Sequence, residues 1–315
     1  MEIPTMTRTR AFALLGASTL ALTLAACGSP TPAATSTPTA TPSPTATVHY
    51  EPIMTPEEFP RMDGSTANIP LGSLVLQRTT GLDAATADNS IQFNTTSRAY
   101  ERLAEGEVDL ILAYEPSAET RAKVDPRGRN LESHAIGRDA LVFLTNEDNP
   151  VDSLTAEQVR DIYTGKITSW SQVGGPDVPI MAFQRPEVSG SQTLMRKLVM
   201  GDATMTDPPT ELVAAEMGSL VDGVASYANS SNALGYSVFY YVSNQYAVDG
   251  IKLIAIDGVT PSNETIADGT YPWVNEFYVV VRADEPADSP ARKIVEWLGT
   301  DPGRQTIKDA GYVAL

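Results

Sequence analysis

The sequence predicts an α/β domain, and three observations predict it. From about Tyr50 to Leu315, short apolar runs alternate with helical patterns, the order that builds mostly parallel sheets covered by helices. Hydroxyl-rich helix starts recur along that order, and sheets of this kind bind ligands at the carboxyl ends of their strands. Finally, 42% hydrophobic and 19% charged residues are ordinary for a soluble globular domain. The roughly 266 residues from Tyr50 onward suffice for two packed lobes.

The elements follow in order. Strands are expected at Ile91–Phe93, Val108–Ala113, Ala140–Leu144, Ile180–Phe183, Leu234–Tyr241, Ile251–Ile256 and Phe277–Val281, each a short apolar run. Helices are expected at Arg98–Gly106, Thr155–Gly165, Ser189–Gly201, Leu220–Tyr227 and Ala287–Gly299. Thr155 with Gln158 makes a capping-box pair, and Pro290 sits where a first-turn proline is tolerated. No internal repeat of solenoid length is present.

The amino-terminal end sets the expected compartment. Arg8 and Arg10 precede an apolar run from Ala11 to Ala26, too short and too rich in small residues to span a membrane. It closes on Leu24-Ala25-Ala26-Cys27, which resembles the lipobox of bacterial lipoproteins, where the cysteine is lipidated and becomes the mature terminus. Residues 1–27 are therefore expected to be a lipoprotein signal peptide, with Cys27 anchoring the protein to the outer face of the cell membrane. Cys27 is the single cysteine, so the mature domain has no disulfide. Residues 28–48 are almost wholly Pro, Thr, Ala and Ser. Such a stretch cannot bury a core and favours extended geometry, giving a spacer on the order of 60 Å.

Charge narrows the partners. The formal net charge is −17, from 22 Lys and Arg against 39 Asp and Glu. That argues against nucleic acid and against electrostatic docking on anionic lipid. An anionic ligand would gain nothing from long-range steering, so any anion site must work through local donors.

One stretch has the chemistry of such a site. In Arg185-Pro186-Glu187-Val188-Ser189-Gly190-Ser191-Gln192, Ser189 is an N-cap and Gln192 completes a capping-box pattern. Leu194, Leu198 and Val199 supply the apolar helical face. A helix starting here aims free N–H groups and the hydroxyls of Ser189 and Ser191 at one point, and its dipole favours an anion there. Gly190 allows close approach, and Arg185 offers a forked cation. An ordinary capped surface helix with an arginine nearby reads the same way. Two further helix starts are similar: Asp63-Gly64-Ser65-Thr66-Ala67 and Asn94-Thr95-Thr96-Ser97. Spacing alone does not show whether the three converge.

The longer pattern is more specific. Ala140-Leu141-Val142-Phe143-Leu144, Leu154-Thr155-Ala156-Glu157-Gln158, Ile162-Tyr163-Thr164-Gly165-Lys166-Ile167-Thr168-Ser169-Trp170 and the Arg185…Ser189-Gly190-Ser191 segment occur in that order. Asn232-Ala233-Leu234-Gly235-Tyr236 and Gly311-Tyr312-Val313 follow. Together they resemble the solute-binding proteins of phosphate ABC transporters, over nearly the whole mature domain. The resemblance implies a type II periplasmic-binding-protein fold, with two α/β lobes joined by two crossover strands and the ligand in the cleft. Lobe 1 would comprise 49–137 plus 251–315, and lobe 2 138–250. It further implies a protein that is no enzyme, needs no cofactor or metal, acts as a monomer, and hands inorganic phosphate to a membrane ABC permease. By the same resemblance, Ser65 and Thr66 are first-loop donors, and Thr96 and Ser97 belong to a second hydroxyl loop. Arg185, Ser189, Gly190 and Ser191 form the third. Glu115, in Ala113-Tyr114-Glu115-Pro116, stands for the acidic residue that accepts the proton of phosphate.

The sequence also departs from that family. A Gly-rich Ser-Ser-Gly-Gly loop is replaced by Thr95-Thr96-Ser97-Arg98, with Arg98 either reaching the ligand or turning away. The usual Asp is a Glu, either in the same place or offset by one residue. Other conspicuous residues take plain readings. His49 and His134 are too few for a zinc site, Trp170, Trp273 and Trp297 are packing anchors, and Lys166 is a loop lysine. No Gly-x-Ser-x-Gly elbow is present. A phosphate-sensing or phosphoester-hydrolysing lipoprotein on the same fold, or a binder of another oxyanion, remains the alternative.

Overall fold

The computed structural model describes residues 50–125, 130–215, 217–226 and 232–315. The expected signal peptide with Cys27, the expected 28–48 spacer and His49 lie outside the described residues. The strands are β1 (Met62–Gly64), β2 (Leu110–Ala113), β3 (Leu131–Asn146), β4 (Ser153–Leu154), β5 (Met181–Ala182), β6 (Ala233–Val238), β7 (Ile251–Ile256), β8 (Val274–Arg282) and β9 (Val313–Ala314). The helices are α1 (Ile69–Thr80), α2 (Ala84–Ser90), α3 (Thr96–Glu105), α4 (Ala118–Val124) and α5 (Ala156–Tyr163). They continue with α6 (Gly190–Leu194), α7 (Met217–Ser226), α8 (Asn263–Ala267), α9 (Pro290–Leu298) and α10 (Asp301–Asp309).

Strand β3 belongs to two sheets. Its first part, Leu131 to Ala140, pairs antiparallel with β8, which pairs in turn with β2, and β2 with β1. From Leu141 onward β3 pairs with β6 on one side, and from Phe143 with β7 on the other, while β5 and β4 extend the edges. The fold is thus two α/β lobes sharing one strand. Residues Ala140 to Leu144 are completely buried because both faces of the strand are covered. Among the described residues, the parallel strand pairs are β1–β2, β4–β7 and β5–β6, so the expectation of mostly parallel sheets is corrected. The shared strand and β8 run against their neighbours, which makes the connections at the centre antiparallel.

Two further expectations change. The return to the first sheet was expected near Gly250, but β7 still pairs with β3 and β4. The chain leaves the second sheet only after Ile256, through a segment carrying α8. Ile91–Phe93 forms no strand: its two apolar side chains are buried, Gln92 is exposed, and none of the three joins a ladder. The Phe93 ring instead fills the space over Gly64 and Gly72, where a Cβ would come within 2.9 Å and 2.6 Å of it.

Local chemistry accounts for the rest. Helix α3 is capped by Thr95, ends on Gly106 at φ 77°, and buries Ala99, Tyr100, Leu103 and Ala104 against Ile111, Ala113 and Val280. The Thr155–Gln158 capping box forms as expected. Phe143, Tyr163, Tyr236 and Trp273 pack at centroid distances of 5.2–6.0 Å inside the second lobe. Each such aromatic contributes about 1.5–3 kcal/mol by burial. Trp170 is fully buried there, and Lys166 is exposed and paired with Asp161.

Candidate functional site

The three hydroxyl loops and the end of β2 meet where the two lobes face each other. Ser65 and Thr66 follow β1, Tyr114 and Glu115 follow β2, and the Arg185–Ser191 loop follows β5. Each position lies beyond the carboxyl end of a strand. Asp63, fully buried, ties the first loop to the second. Its Oδ1 accepts the N–H groups of Gly64 and Asn94, and its Oδ2 accepts Asn94 Nδ2 and Arg102 Nη1 at 2.7 and 2.6 Å. That loop carries Thr95 as N-cap of α3, with Thr96 and Ser97 buried in its first turn.

Contacts across the cleft join the second loop to the third. A Cβ placed on Gly190 would lie 2.8 Å from Thr96 Oγ1 and 3.7 Å from Cδ2 of Tyr114, so the glycine permits the two helix starts to touch. Ser97 Oγ donates to the Val188 carbonyl at 2.7 Å and lies 2.7 Å from Thr120 Oγ1, which lies 2.9 Å from Ser117 Oγ. The Thr66 carbonyl accepts Gln245 Nε2 from the second lobe. Ser65 is buried, with its N–H held by the Leu112 carbonyl at the sheet edge.

The third loop is stapled from behind. Ser189 caps α6 by accepting Gln192 N–H. Gln192 does not close a capping box, however. Its amide donates to Glu187, and its carbonyl accepts the Tyr236 hydroxyl. That hydroxyl accepts the Arg185 N–H, and Arg185 Nη2 reaches the Ala215 carbonyl. Burial works against ionisation of Glu187, but hydrogen bonds from Arg196 and Gln192 hold its carboxyl below the usual range. The Tyr236 hydroxyl is pushed up by burial and stays neutral. Arg185 is therefore a buried guanidinium on a rigid loop. Ser191 Oγ is fully buried and has no hydrogen-bond partner among the described residues. A buried hydroxyl left unsatisfied on a loop that also buries an arginine is what an oxyanion can complete.

Glu115 is not where the resemblance implied. Its side chain is 31% exposed at the rim, paired with Lys197 at 2.6 Å across the cleft and 3.8 Å from Arg121. The expectation of a buried carboxylate accepting a phosphate proton is corrected: neighbouring side chains leave the chain on opposite sides after β2, so the Glu115 carboxylate lies at the rim and the buried position goes to Tyr114. Arg98 turns away to Glu101, Glu105 and Glu107. Sequence reasoning missed the supporting residues Asp63, Tyr114, Gln192, Lys197 and Tyr236. All but Lys197 stand inside quoted motifs, but the bonds that give them their roles reach mostly across tens of residues, which spacing along the chain does not show. The arrangement is a donor-lined seam between two lobes, with one buried cation and hydroxyls supplied from both sides.

Chemically, a seam of N–H and hydroxyl donors with one buried cation suits a small anion. The comparisons place the chain in a family: residues 33–298 match the PBP superfamily domain, and the chain belongs to that superfamily. It is 25% identical over 231 residues to the phosphate-binding protein PstS of Bacillus subtilis, covering 73% of this chain and 72% of that one. In three dimensions it is similar to a protein from Clostridium perfringens proposed as a phosphate ABC transporter substrate-binding protein and crystallised with phosphate. There the TM-score is 0.64 and identity 22%, over 81% of this chain and 98% of that one. It is likewise similar to an ABC-type phosphate transport receptor from Vibrio cholerae, with TM-score 0.59, 22% identity, and coverage of 80% and 98%.

Proposed function

We propose that this chain is an extracytoplasmic solute-binding lipoprotein that captures inorganic phosphate between its lobes and delivers it to a membrane ABC permease. The observation that carries the reading is the buried hydroxyl of Ser191, without a partner among the described residues, on the same loop as the buried Arg185 and next to Gly190, which meets Thr96 at the seam. Ser65, Thr66, Thr96, Ser189 and the N–H groups opening α6 complete the donor set, with Ser97 holding the seam shut. Charge at −17 leaves capture to these local donors. The lobes divide at β3 near Ala140 and again after β7, and Cys27 carries the lipid anchor. Each lobe owns part of the site, so an anion touching both favours the closed arrangement by its differential affinity.

Calorimetric titration of the protein with phosphate and with sulfate, alongside a phosphomonoester turnover assay, tests the reading. Saturable phosphate binding, weakened at least tenfold by Arg185→Ala, without turnover is expected. Turnover, or absence of binding by the unsubstituted protein, would sink it.

A further inference from the structure

We propose that Asp139 is a positioning residue for anion capture: from the strand shared by both sheets it holds Tyr114, and through that ring it sets the seat on which the Gly190 loop closes. The inference rests on the anion-binding reading above and deepens it.

Asp139 sits on β3 opposite Asn275 of β8, two residues before the pairing with β6 begins. It is buried, and its carboxylate is fully used. Oδ2 accepts the Tyr114 hydroxyl at 2.7 Å, and Oδ1 accepts the N–H groups of Ala140 and Tyr240 at 2.8 and 3.1 Å. Tyr114 comes from the end of β2 in the first sheet, and Tyr240 from the end of β6 in the second. One carboxylate therefore ties both lobes at the strand they share. From there the contacts run outward to the site. The Tyr114 ring is the wall 3.7 Å from the Cβ position of Gly190. On the other side Tyr240 stacks on Tyr312 at 3.8 Å, and the Tyr312 hydroxyl donates to the Ala67 carbonyl and accepts Asn68 Nδ2 just after Ser65 and Thr66.

The titratable groups facing Asp139 are phenols: Tyr114, Tyr240 and, from the carboxyl-terminal segment, Tyr312. Burial raises all three, Tyr240 to about 12, so they are uncharged through the neutral range. Arg138, the neighbour along β3, donates instead to the Ala267 carbonyl. Burial pushes the Asp139 carboxyl up to about 6, against the hydrogen bonds from Tyr114, Tyr240 and Ala140. On protonation one oxygen becomes a donor, and the charged anchor of Tyr114 is lost. The energetic sign separates positioning from mere structure. A carboxyl whose folded pKa lies above its unfolded value makes the fold less stable as pH rises through about 6, so the charge is retained at a cost to stability. Neutral asparagine of the same shape removes that cost and still presents polar atoms to Tyr114 and the two N–H groups.

The test titrates phosphate into the full chain at pH 7.5 and pH 5, as wild type, Asp139→Asn, Tyr114→Phe and the double variant, with ligand-free melting of each. Asp139→Asn should weaken phosphate about tenfold at pH 7.5, the scale of one hydrogen bond to a charged group. The gap should close to within about twofold at pH 5, where wild type is itself protonated, and ligand-free melting should be unchanged or higher. The ratio of variant to wild type cancels the ionisation of phosphate. Tyr114→Phe should lose several-fold and add little to Asp139→Asn. Equal affinity of Asp139→Asn and wild type, a gap independent of pH, or a variant that melts well below wild type overturns the proposal. Wild type that does not bind phosphate overturns the capture reading first, and this one with it.

Discussion

Replacing Gly190 by alanine adds one methyl at the point where the two lobes touch. The new Cβ would stand 2.8 Å from Thr96 Oγ1, against an ordinary contact of 3.4 Å or more, and 3.7 Å from the Tyr114 ring. Opening that gap by roughly half an ångström amounts to overpacking, which costs about 1–3 kcal/mol. Thr96 belongs to the first lobe and Gly190 to the second, so the cost falls on the closed arrangement alone. Gly190 is the first residue of α6, and alanine is the better helix former by up to about 1 kcal/mol in either arrangement. Ligand-free melting should therefore hold or rise, while phosphate affinity falls about ten- to a hundredfold. Calorimetric titration reads the affinity, and a cycle with Thr96→Ala reads its cause. Removing Oγ1 clears the space, so the double variant should bind more tightly than the sum of the single losses by about 1 kcal/mol. Strict additivity would mean that the methyl obstructs the anion directly. Affinity of Gly190→Ala within twofold of wild type would refute the closed seam altogether.

The remaining predictions concern three other positions. Ser191→Ala deletes a buried hydroxyl that has no partner among the described residues, so ligand-free melting should rise by about 2–4 °C while phosphate affinity drops roughly tenfold; a rise in melting without loss of affinity would remove Ser191 from the site. Glu115→Gln breaks an ion pair with the half-exposed Lys197, worth about 0–1 kcal/mol. Phosphate affinity should change less than about fivefold and the phosphate-to-sulfate ratio should hold in parallel titrations; collapse of that ratio would restore Glu115 as the reader of the phosphate proton. Cys27→Ser should move the protein out of the detergent phase on phase partitioning, since in the proposed lipoprotein the anchor is the lipidated Cys27; unchanged partitioning would refute the lipobox reading.

Much of this architecture was legible because the relevant signals are local. The strands β2, β6, β7 and β8 announce themselves as apolar runs, and α3 and α5 as capped amphipathic stretches, whose period and end signals need only neighbours in sequence. What escaped was set at long range. The first part of β3, Leu131 to Arg138, is half polar and reads as a strand only because β8 lies beside it. The Ile91–Phe93 run has a strand's composition, but a strand needs a ladder partner, and here the Phe93 ring serves as packing over two glycines. The direction of the sheet pairs likewise depends on how β3 threads both sheets, which alternation in the sequence does not encode.

The candidate site divides the same way. Arg185, Ser189, Gly190 and Ser191 could be named because a helix start declares its donors in consecutive residues. Whether those donors oppose Thr96 is a tertiary fact, and so is the identity of the carboxylate that matters. After β2 the residues Tyr114 and Glu115 are adjacent, yet one points into the seam and the other to its rim. Alternation along an extended chain sends neighbouring side chains to opposite sides, so an offset of a single residue exchanges a buried phenol for an exposed acid. The acid that reaches the seam does so through that phenol: Asp139 bonds the Tyr114 hydroxyl from β3, twenty-five residues on. The Asp139 charge is thus held behind a neutral ring, and Glu187, the acid within the third loop, is engaged by Arg196 and Gln192.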